Sequence, residues 1–327
     1  AVATDAAVSS SSSSSAPRAK CLEIVKAFPH PGEVHRARHM PQHPNVMAAI
    51  GPSGDVMLYD LDTENPAEQK NQGALGRCKG HGDEGYGLAW SSVRASRLVT
   101  AANDGTVCFW DTMRPSMKMS PATKLTDANG ASVNDLSLSS TSADIAYSAS
   151  EAKRIDVWDA RKKGGPALST LNAHADEVMS VDASPLSEHL LLSGGADSVI
   201  KLWDTRKMSS FIHSMEGVHE GDVTAVRWSP HHIAHFLSAG DDRRANVWDL
   251  GRIGQEQTEE DGRDGPPELL FCHGGHTGAV TDISWNLSSG SEFLVASVSD
   301  DNIFQCWQMQ KTLYTEDNEK VPAAELE

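Results

Sequence analysis

The amino-acid sequence predicts an all-β fold, a β-propeller built from repeated four-stranded blades. Three observations predict it. First, an aromatic residue followed by Asp or Gln recurs at Tyr59-Asp60, Trp110-Asp111, Trp158-Asp159, Trp203-Asp204, Trp248-Asp249 and Trp307-Gln308. The aromatic positions lie 51, 48, 45, 45 and 59 residues apart. Second, each unit holds short runs with alternating polarity, such as Val223 to Trp228, His235 to Ala239 and Ala245 to Trp248, separated by Gly, Asp, Asn and Pro. A period of two sends alternate side chains to opposite faces, which is the mark of a strand. Third, a repeat of roughly 40–45 residues with four strands is the propeller pattern, because one unit cannot bury its own sheet and stacking does.

Taken in chain order, residues 1–20 come first, rich in Ala and Ser with an unbroken run from Ser9 to Ser15. Such a segment cannot bury enough apolar area to offset its ordering entropy, so a disordered tail is expected. Arg18 and Lys20 in a Ser-rich stretch give a weak transit-peptide reading, against which Asp5 speaks. The chain opens with Ala instead of Met, as a processed or incomplete product would. Cys21 to Ala27 reads as one further strand. Six recognisable units follow from residue 34, so the repeat body is expected over 21–314, with an acidic tail at 315–327.

Inside the units the spacing is chemical as well as periodic. Several open on Gly-His or a variant: Gly80-His81, Ala173-His174, Val218-His219 and Gly275-His276. A Ser or Thr stands ten residues before the Trp and an Asp six before it. The sets are His81/Thr100/Asp104/Trp110, His174/Ser193/Asp197/Trp203, His219/Ser238/Asp242/Trp248 and His276/Ser297/Asp301/Trp307. They resemble the structural hydrogen-bond tetrad of WD40 repeats, in which Asp accepts from His, His meets the hydroxyl, and the hydroxyl accepts from the indole N–H. Every buried polar group is then satisfied. The unit ending at Trp158 lacks the opening His and has Ala152 in place of the Asp; the first unit lacks both His and Trp. Those two blades are expected to rely on packing alone.

Composition narrows the function. At 39% apolar and 22% charged the chain suits a globular protein with ample core. No apolar run approaches the ~18 residues of a membrane span. The five cysteines, Cys21, Cys78, Cys108, Cys272 and Cys306, are scattered with no CxxC pair, which fits reduced thiols in an intracellular protein. A formal charge of −17 argues against direct nucleic-acid binding and favours basic partners. His, Asp and Ser together suggest a hydrolase triad, yet the tetrad explains a set that repeats four times, and no catalytic centre is expected. The 14 histidines show no metal-ligand spacing, and His231-His232 after Pro230 reads as a turn. No cofactor, membrane or small-molecule substrate is expected.

The acids then acquire a place. Three residues past each His position, and just before each tetrad Asp, the chain is expected in loops on one rim. The first set is Glu33, Glu84, Ser132, Glu177, Asp222 and Ala279; the second is Pro52, Asn103, Glu151, Ala196, Asp241 and Asp300. Seven of these twelve are acidic and none is basic. Tyr86 lies nearby as an apolar wall. A ring of carboxylates at a channel mouth would accept charge-assisted hydrogen bonds from Lys or Arg of a basic peptide. The 59-residue spacing before Trp307 also holds about 14 residues more than its neighbours, in the acidic stretch Gly251 to Glu268 that ends near Pro266-Pro267. A loop this long in a compact repeat is commonly functional.

That loop carries a closer likeness. Gly265-Pro266-Pro267-Glu268-Leu269-Leu270-Phe271 and His273-Gly274-Gly275-His276 resemble the retinoblastoma-binding, histone-chaperone WD-repeat family, which includes the small subunit of chromatin assembly factor 1. So do Gly32 to Arg38, Glu84 to Leu88, Asp242-Arg243-Arg244 and Asp301-Asn302-Ile303, and the likeness spans roughly 21–314. The resemblance implies a seven-bladed nuclear scaffold of chromatin assembly, deacetylase, remodelling or Polycomb complexes, whose rim takes a core-histone tail. Glu33, Glu84, Tyr86, Glu177 and Asp300 match that surface, with Glu151, Asp222 and Asp241 as additions. It also implies that Glu259, Glu260, Asp261, Asp264, Gly265, Pro266 and Pro267 grip the first helix of a core histone. Departures exist: Met179, Thr224 and His35 stand where the family pattern has other residue types. The family's long N-terminal helix and most of its first blade have no counterpart, so one wall of the helix groove is absent, and six units must close alone or leave a seventh blade partial. A second reading is a substrate receptor for a cullin-type ubiquitin ligase, since Trp158-Asp159-Ala160-Arg161 and Trp203-Asp204-Thr205-Arg206 resemble the WDxR docking signature.

Overall fold

The structure, a computed structural model, describes residues 24–66, 73–258, 261–310 and 313–314, with Asp261 as backbone alone. Both expected tails, together with Cys21 to Glu23, Glu259 and Glu260, lie outside the described residues. Among the described residues the fold is all-β: six antiparallel sheets and almost no helix. Blade 1 holds β1 (Arg36–Met40), β2 (His43–Ile50), β3 (Val56–Asp60) and β4 (Ala74–Cys78). Blade 2 holds β5 (Gly85–Trp90), β6 (Arg97–Ala102), β7 (Thr106–Asp111) and β8 (Thr123–Thr126). Blade 3 holds β9 (Val133–Leu138), β10 (Ile145–Ser150), β11 (Arg154–Asp159) and β12 (Leu168–Thr170). Blade 4 holds β13 (Val178–Ala183), β14 (Leu190–Gly195), β15 (Ile200–Asp204) and β16 (Phe211–Met215). Blade 5 holds β17 (Val223–Trp228), β18 (His235–Gly240), β19 (Ala245–Asp249) and β20 (Leu269–His273). Blade 6 holds three strands, β21 (Val280–Trp285), β22 (Leu294–Ser299) and β23 (Phe304–Gln308).

Each sheet is a meander whose first strand lies innermost, and the inner strands of successive blades pack side by side. The core sits between blades. Met40, Ile50 and Leu58 of blade 1 meet Leu88, Leu98 and Trp110 of blade 2, and Leu237, Val247 and Leu270 of blade 5 meet Ile283, Trp285 and Val295 of blade 6. A strand with neighbours on both faces is buried throughout, as β6 is. This is why Leu, Val and Ala run consecutively there instead of alternating.

One turn position repeats through the fold. The residue after the tetrad Asp, or after its replacement, has positive φ in every blade: Gly54, Gly105, Lys153, Ser198, Arg243 and Asn302, at 60° to 68°. The hairpin between second and third strands demands that conformation, and only two blades meet it with the glycine that adopts it without strain.

The four tetrads form, and two of them need correction. Their hydroxyl residues, Thr100, Ser193, Ser238 and Ser297, are all buried, so they serve the blade interior and offer nothing to a ligand. Trp203 and Trp248 donate to Ser193 and Ser238 at 2.8 Å, these hydroxyls meet His174 and His219 Nε2 at 2.7 Å, and each Nδ1 reaches its Asp at 2.9 Å. The sets of Thr100 and Ser297 keep the first two of these bonds. Trp110 donates to Thr100 Oγ1 at 2.8 Å, and Thr100 meets His81 Nε2 at 2.7 Å. Trp307 donates to Ser297 Oγ at 3.0 Å, and Ser297 meets His276 Nε2 at 2.7 Å. Contrary to expectation, Asp does not accept directly from His in these two sets, because a second hydroxyl stands between them. His81 Nδ1 meets Thr106 Oγ1 at 2.8 Å, and Thr106 donates to Asp104 at 2.6 Å. His276 Nδ1 likewise meets Ser299 Oγ at 2.7 Å, and Ser299 bonds Asp301. Both chains have five members instead of four.

The two deviant blades do not rely on packing alone. In blade 3, Trp158 donates to Ser148 at 2.8 Å, and the space of the missing His–Asp pair holds a buried ion network of Arg154 with Asp156, at 2.9 Å, and with Asp127. In blade 1 an opening His exists after all. His30 stands 51 residues before His81, and its Nδ1 lies 2.9 Å from the Tyr59 hydroxyl. The expected strand at Cys21 to Ala27 is not found in its described part: residues 24–27 form no strand, and Ile24 and Val25 are 85% and 84% exposed. The chain there turns along blade 1, where Lys26 reaches the Leu61 carbonyl at 2.7 Å and Phe28 packs edge-on against Tyr59.

Blades 1 and 6 face one another across a seam. Arg38 and Asp282 pair over it at 3.0 Å. At three other joints the last Trp of an inner strand donates to the preceding blade: Trp90 to Arg38 O, Trp228 to Asp182 O and Trp285 to Arg227 O, at 2.9, 3.0 and 3.1 Å. His39 holds the matching place in blade 1, is exposed, and lines a cleft of about 590 Å³ with Met47, Ile283, Trp285 and Leu287.

Candidate functional site

The inner strands position one mouth of the central channel. Near its start, each inner strand of blades 2 to 6 carries a β-bulge that leaves Tyr86, Asn134, Met179, Thr224 and Thr281 outside the ladder register. A bulge re-aims the extra residue, and these five side chains line a 380 Å³ recess with Arg36, Asn103, Ser132 and Glu151. Just beyond each bulge the two expected rim positions pair through their backbones. Asn103 N donates to Glu84 O, Glu151 to Ser132, Ala196 to Glu177, Asp241 to Asp222 and Asp300 to Ala279, at 2.9 to 3.2 Å. The pairing is equivalent in five blades, so Glu84, Glu151, Glu177, Asp222, Asp241 and Asp300 stand at one end of the propeller. Glu33 of blade 1 lies at the same level, its carbonyl against Gly51. Glu33, Glu151, Glu177, Asp241 and Asp300 are exposed; Glu84, Tyr86 and Asp222 are half-buried.

Local contacts shape this surface. The Tyr86 hydroxyl donates to Glu84 at 3.0 Å, and the His35 ring stacks on Tyr86 with centroids 4.4 Å apart. Burial, with the Glu84 hydrogen bond behind it, raises the Tyr86 phenol above its ordinary value. Burial also raises the Asp222 carboxyl, assisted by Asp241 and Asp176. The rim is not uniformly acidic, because Lys153 pairs with Asp176 at 3.2 Å on its outer side.

Below the mouth lies a feature that reading the sequence missed. Three arginines and three aspartates from the inner strands plug the channel. Arg36 meets Asp135 at 3.6 Å, Arg227 meets Asp135 at 3.2 Å and Asp282 at 3.7 Å, and Arg38 meets Asp282. Asp182 accepts from Ser137 at 3.1 Å and from the Trp228 backbone at 2.8 Å. Burial alone would raise every one of these carboxyls. The arginines overcome it at Asp135 and Asp282, holding both below the usual range. At Asp182 burial prevails against Arg227 and pushes the carboxyl up to about 6. The signal was present as one charge in each of β9, β13, β17 and β21 and two in β1. With three charges of each sign, the floor is close to neutral and the acids above it dominate the mouth.

The acidic loop lies elsewhere. Asp261–Asp264 forms one short turn of helix, α1, and Asp264, Gly265, Pro266 and Pro267 line a 550 Å³ pocket with Leu269, Phe271 and Leu313. Glu259, Glu260 and the Asp261 side chain fall outside the described residues. The WDxR arginines sit at the opposite end of the propeller from the mouth. Each folds back on its own aspartate, Arg161 on Asp159 at 2.9 Å and Arg206 on Asp204 at 2.7 Å. His231 and His232 lie in a turn where both backbone amides donate to Ser229.

Among the described residues, no group of three or more His, Cys, Asp or Glu is placed to hold a metal ion, and no helix is long and apolar enough to cross a membrane. Cys78 and Cys108 are buried free thiols, and Cys272 and Cys306 are exposed ones.

Residues 74–111, 165–204, 210–249 and 267–308 match the WD domain, G-beta repeat family. These four segments are the ones that end on the complete tetrads, at Trp110, Trp203, Trp248 and Trp307. Each begins with the outer strand of one blade and closes on the third strand of the next, so the repeat in sequence is offset from the blade in space. With its matched repeats and its six stacked sheets, the fold of the described residues is an all-β WD40 propeller of six blades.

Proposed function

We propose that this protein is a non-enzymatic scaffold that binds basic polypeptide segments at the acidic channel mouth, and that its partners are core-histone tails within nuclear chromatin complexes. The reading is carried by the equivalence of the rim: backbone pairing in five blades gathers carboxylates of Glu84, Glu151, Glu177, Asp222, Asp241 and Asp300 around a single opening. A Lys or Arg entering there gains charge-assisted hydrogen bonds from several directions. The plug keeps the floor near neutral, so a cationic side chain is attracted to the mouth without being drawn through the ring. Tyr86 and His35 supply a flat wall for the aliphatic stem of the entering residue. The likeness to the histone-binding family narrows this chemistry to histones and suggests that the loop at Asp264 to Pro267 contributes one wall for a histone helix.

The test is direct. A basic histone-tail peptide is titrated into the protein and into a Glu84→Lys, Glu177→Lys double variant. Measurable affinity that falls with added salt and drops at least about tenfold in the variant, or about 1.4 kcal/mol, is expected. Equal binding by both proteins would remove the basis of the reading.

The ubiquitin-ligase receptor reading has one observation in its favour: Arg161 and Arg206 are exposed on adjoining blades, their side chains 64% and 66% accessible. Co-purification separates the two, histones and deacetylase subunits supporting the first and a cullin adaptor the second.

A further inference from the structure

The end of the propeller opposite the mouth carries an equivalence of its own. In the five four-stranded blades the third strand closes on an Asp: Asp60, Asp111, Asp159, Asp204 and Asp249. The next residue donates its backbone N–H to the chain at or just before the second strand. Leu61 donates to Asn45 O, Thr112 to Ser96 O, Ala160 to Asp144 O, Thr205 to His189 O and Leu250 to Ala234 O, at 2.7 to 2.9 Å. Each Asp side chain then accepts from the N–H two residues on, at 2.9 to 3.2 Å, so the five turns are built alike. The residue that follows, four past the aromatic position, is Thr63, Arg114, Lys162, Lys207 and Arg252. Four of these five are cations and none is an acid. A repeat that returns a cation to one place on successive blades builds an arc of positive charge, here in a chain of net charge −17.

The carboxylates at that end are already committed. Asp111 pairs with Arg94 at 3.0 Å, Asp144 with Arg97 at 2.8 Å, Asp159 with Arg161 at 2.9 Å, Asp204 with Arg206 at 2.7 Å and Asp249 with Arg252 at 3.4 Å. Glu188 lies 2.8 Å from His189. The stretches 112–118, 160–167 and 205–210 contain no Asp or Glu. Arg114, Lys162 and Lys207 are exposed and make no ion pair among the described residues, and Lys163 is exposed beside Lys162. Large apolar side chains stand next to these cations in water. Met113 is 70% exposed, Leu168 at the start of β12 is 49% exposed, and Phe211 and Ile212 at the start of β16 are 46% and 54% exposed. The arc over blades 2, 3 and 4 is cationic and apolar at once.

We propose that this arc is a docking surface for an acidic polypeptide segment that carries large apolar side chains among its carboxylates. Lys162 and Lys207 hold the same place on adjoining blades and receive successive carboxylates of the segment, with Arg114 continuing the row on blade 2. Leu168, Phe211 and Ile212 leave water against its apolar side chains. A nucleic-acid backbone fits less well, because its dense phosphate charge is repelled by a chain of net −17 and would leave those apolar side chains in water. Arg161 and Arg206 are not required, since each is held by its own aspartate. The two ends of the propeller then take partners of opposite charge, so a cationic segment at the mouth does not compete for the arc. The turns that build the arc are separate from the rim, and docking here does not depend on what the mouth binds.

A fluorescent synthetic peptide repeating Asp-Leu-Glu-Phe is the probe. It is titrated into the full chain, into a Lys162→Glu, Lys207→Glu variant and into a Leu168→Ser, Ile212→Ser variant, with thermal unfolding to confirm that both variants fold. The Glu84→Lys, Glu177→Lys variant of the mouth is the control. Saturable binding that weakens with added salt and falls at least about tenfold in the lysine variant is expected, since reversing two exposed cations both removes attraction and adds repulsion. Binding should also fall in the Leu168, Ile212 variant and be no weaker in the mouth variant. No measurable binding, equal binding by the parent and the lysine variant, or equal binding of an all-Glu peptide of the same length would overturn the assignment. A short DNA duplex that binds more tightly than the peptide, and loses as much in the lysine variant, would overturn it in favour of nucleic acid.

Discussion

Arg227 in blade 5 donates from Nη1 to Asp135 in blade 3 at 3.2 Å, tying together two blades that are not neighbours. The bond passes blade 4, and Ser180 of that blade donates to the same carboxylate at 2.7 Å. Packing between adjacent sheets constrains each joint singly, whereas this contact constrains the ring across its axis. Arg227 serves three aspartates at once, and although burial opposes its charge, Asp135, Asp282 and Asp182 raise its pKa well beyond the ordinary value.

Replacing Arg227 with Met keeps the stem and removes the charge. Asp135, nearly inaccessible, and Asp182, half-buried, would face one another with reduced compensation. Breaking a buried ion cluster from one side costs on the order of 3–5 kcal/mol, and the accessible fraction of Arg227 places the expected loss at the lower end. Chemical denaturation at neutral pH reads it directly, and an Arg227→Met protein as stable as the parent would show that the plug contributes nothing.

Asp182 gives the plug a pH dependence of defined sign. Its carboxyl is raised to about 6 in the folded protein by burial, against about 4 in an unfolded chain. A carboxyl raised on folding favours the native state when protonated. Its contribution is therefore fully present below about pH 4 and is withdrawn as pH rises through about 6. Asp182→Asn should flatten this part of the stability profile, leaving the variant less sensitive than the parent between about pH 4 and pH 7. Parallel denaturation curves for the two proteins over that range would contradict the assignment.

The tetrads predict a graded response. Ser238→Ala orphans the Trp248 N–H and also removes one of the two bonds to His219 Nε2, leaving Asn246 Nδ2 at 3.1 Å. Ser148→Ala orphans the Trp158 N–H alone. An unsatisfied buried polar group costs about 1–3 kcal/mol, so Ser238→Ala should lose more stability than Ser148→Ala by a measurable margin. Equal losses would mean that the histidine bond carries no weight.

What could be read in advance follows from how information lies along the chain. Trp110, Trp158, Trp203 and Trp248 were visible because the blade repeats its spacing and the indole is unmistakable. Thr100 and Ser297 were visible by the same spacing, but the hydroxyls of Thr106 and Ser299 that extend their chains were not, because no fixed offset marks a second hydroxyl. The rim positions were visible because they stand at fixed offsets from His and Asp, which the backbone pairing preserves. His30 was missed because its partner is Tyr59 instead of Trp. Arg154 was missed because it replaces a hydrogen-bonded pair by an ion network with different chemistry at different positions. The plug was hidden for a deeper reason: Asp135, Asp182, Arg227 and Asp282 are each the one charge of their strand, Arg36 and Arg38 share another, and closing the inner strands around an axis is what makes them a cluster.

The mouth should bind cationic peptides more weakly as pH falls, earlier than ordinary carboxylates would dictate. Asp222 is the reason. Burial raises its carboxyl, and Asp241 and Asp176 raise it further because a second and third negative charge nearby disfavour its own. A bound Lys or Arg reverses that balance by favouring the ionised form, so binding to protonated Asp222 must release its proton. Linkage then requires affinity to fall where the free protein protonates Asp222, which lies above the normal carboxylate range. Asp222→Asn removes both the charge and the titration. It should bind somewhat less tightly than the parent at about pH 7, yet lose a smaller factor when the pH is lowered to the ordinary carboxylate value of about 4. Titration of one basic peptide into both proteins at the two pH values settles the matter. Equal pH sensitivity in parent and variant would place the titrating group elsewhere on the rim, whereas a steeper loss in Asp222→Asn would show that Asp222 opposes binding instead of serving it.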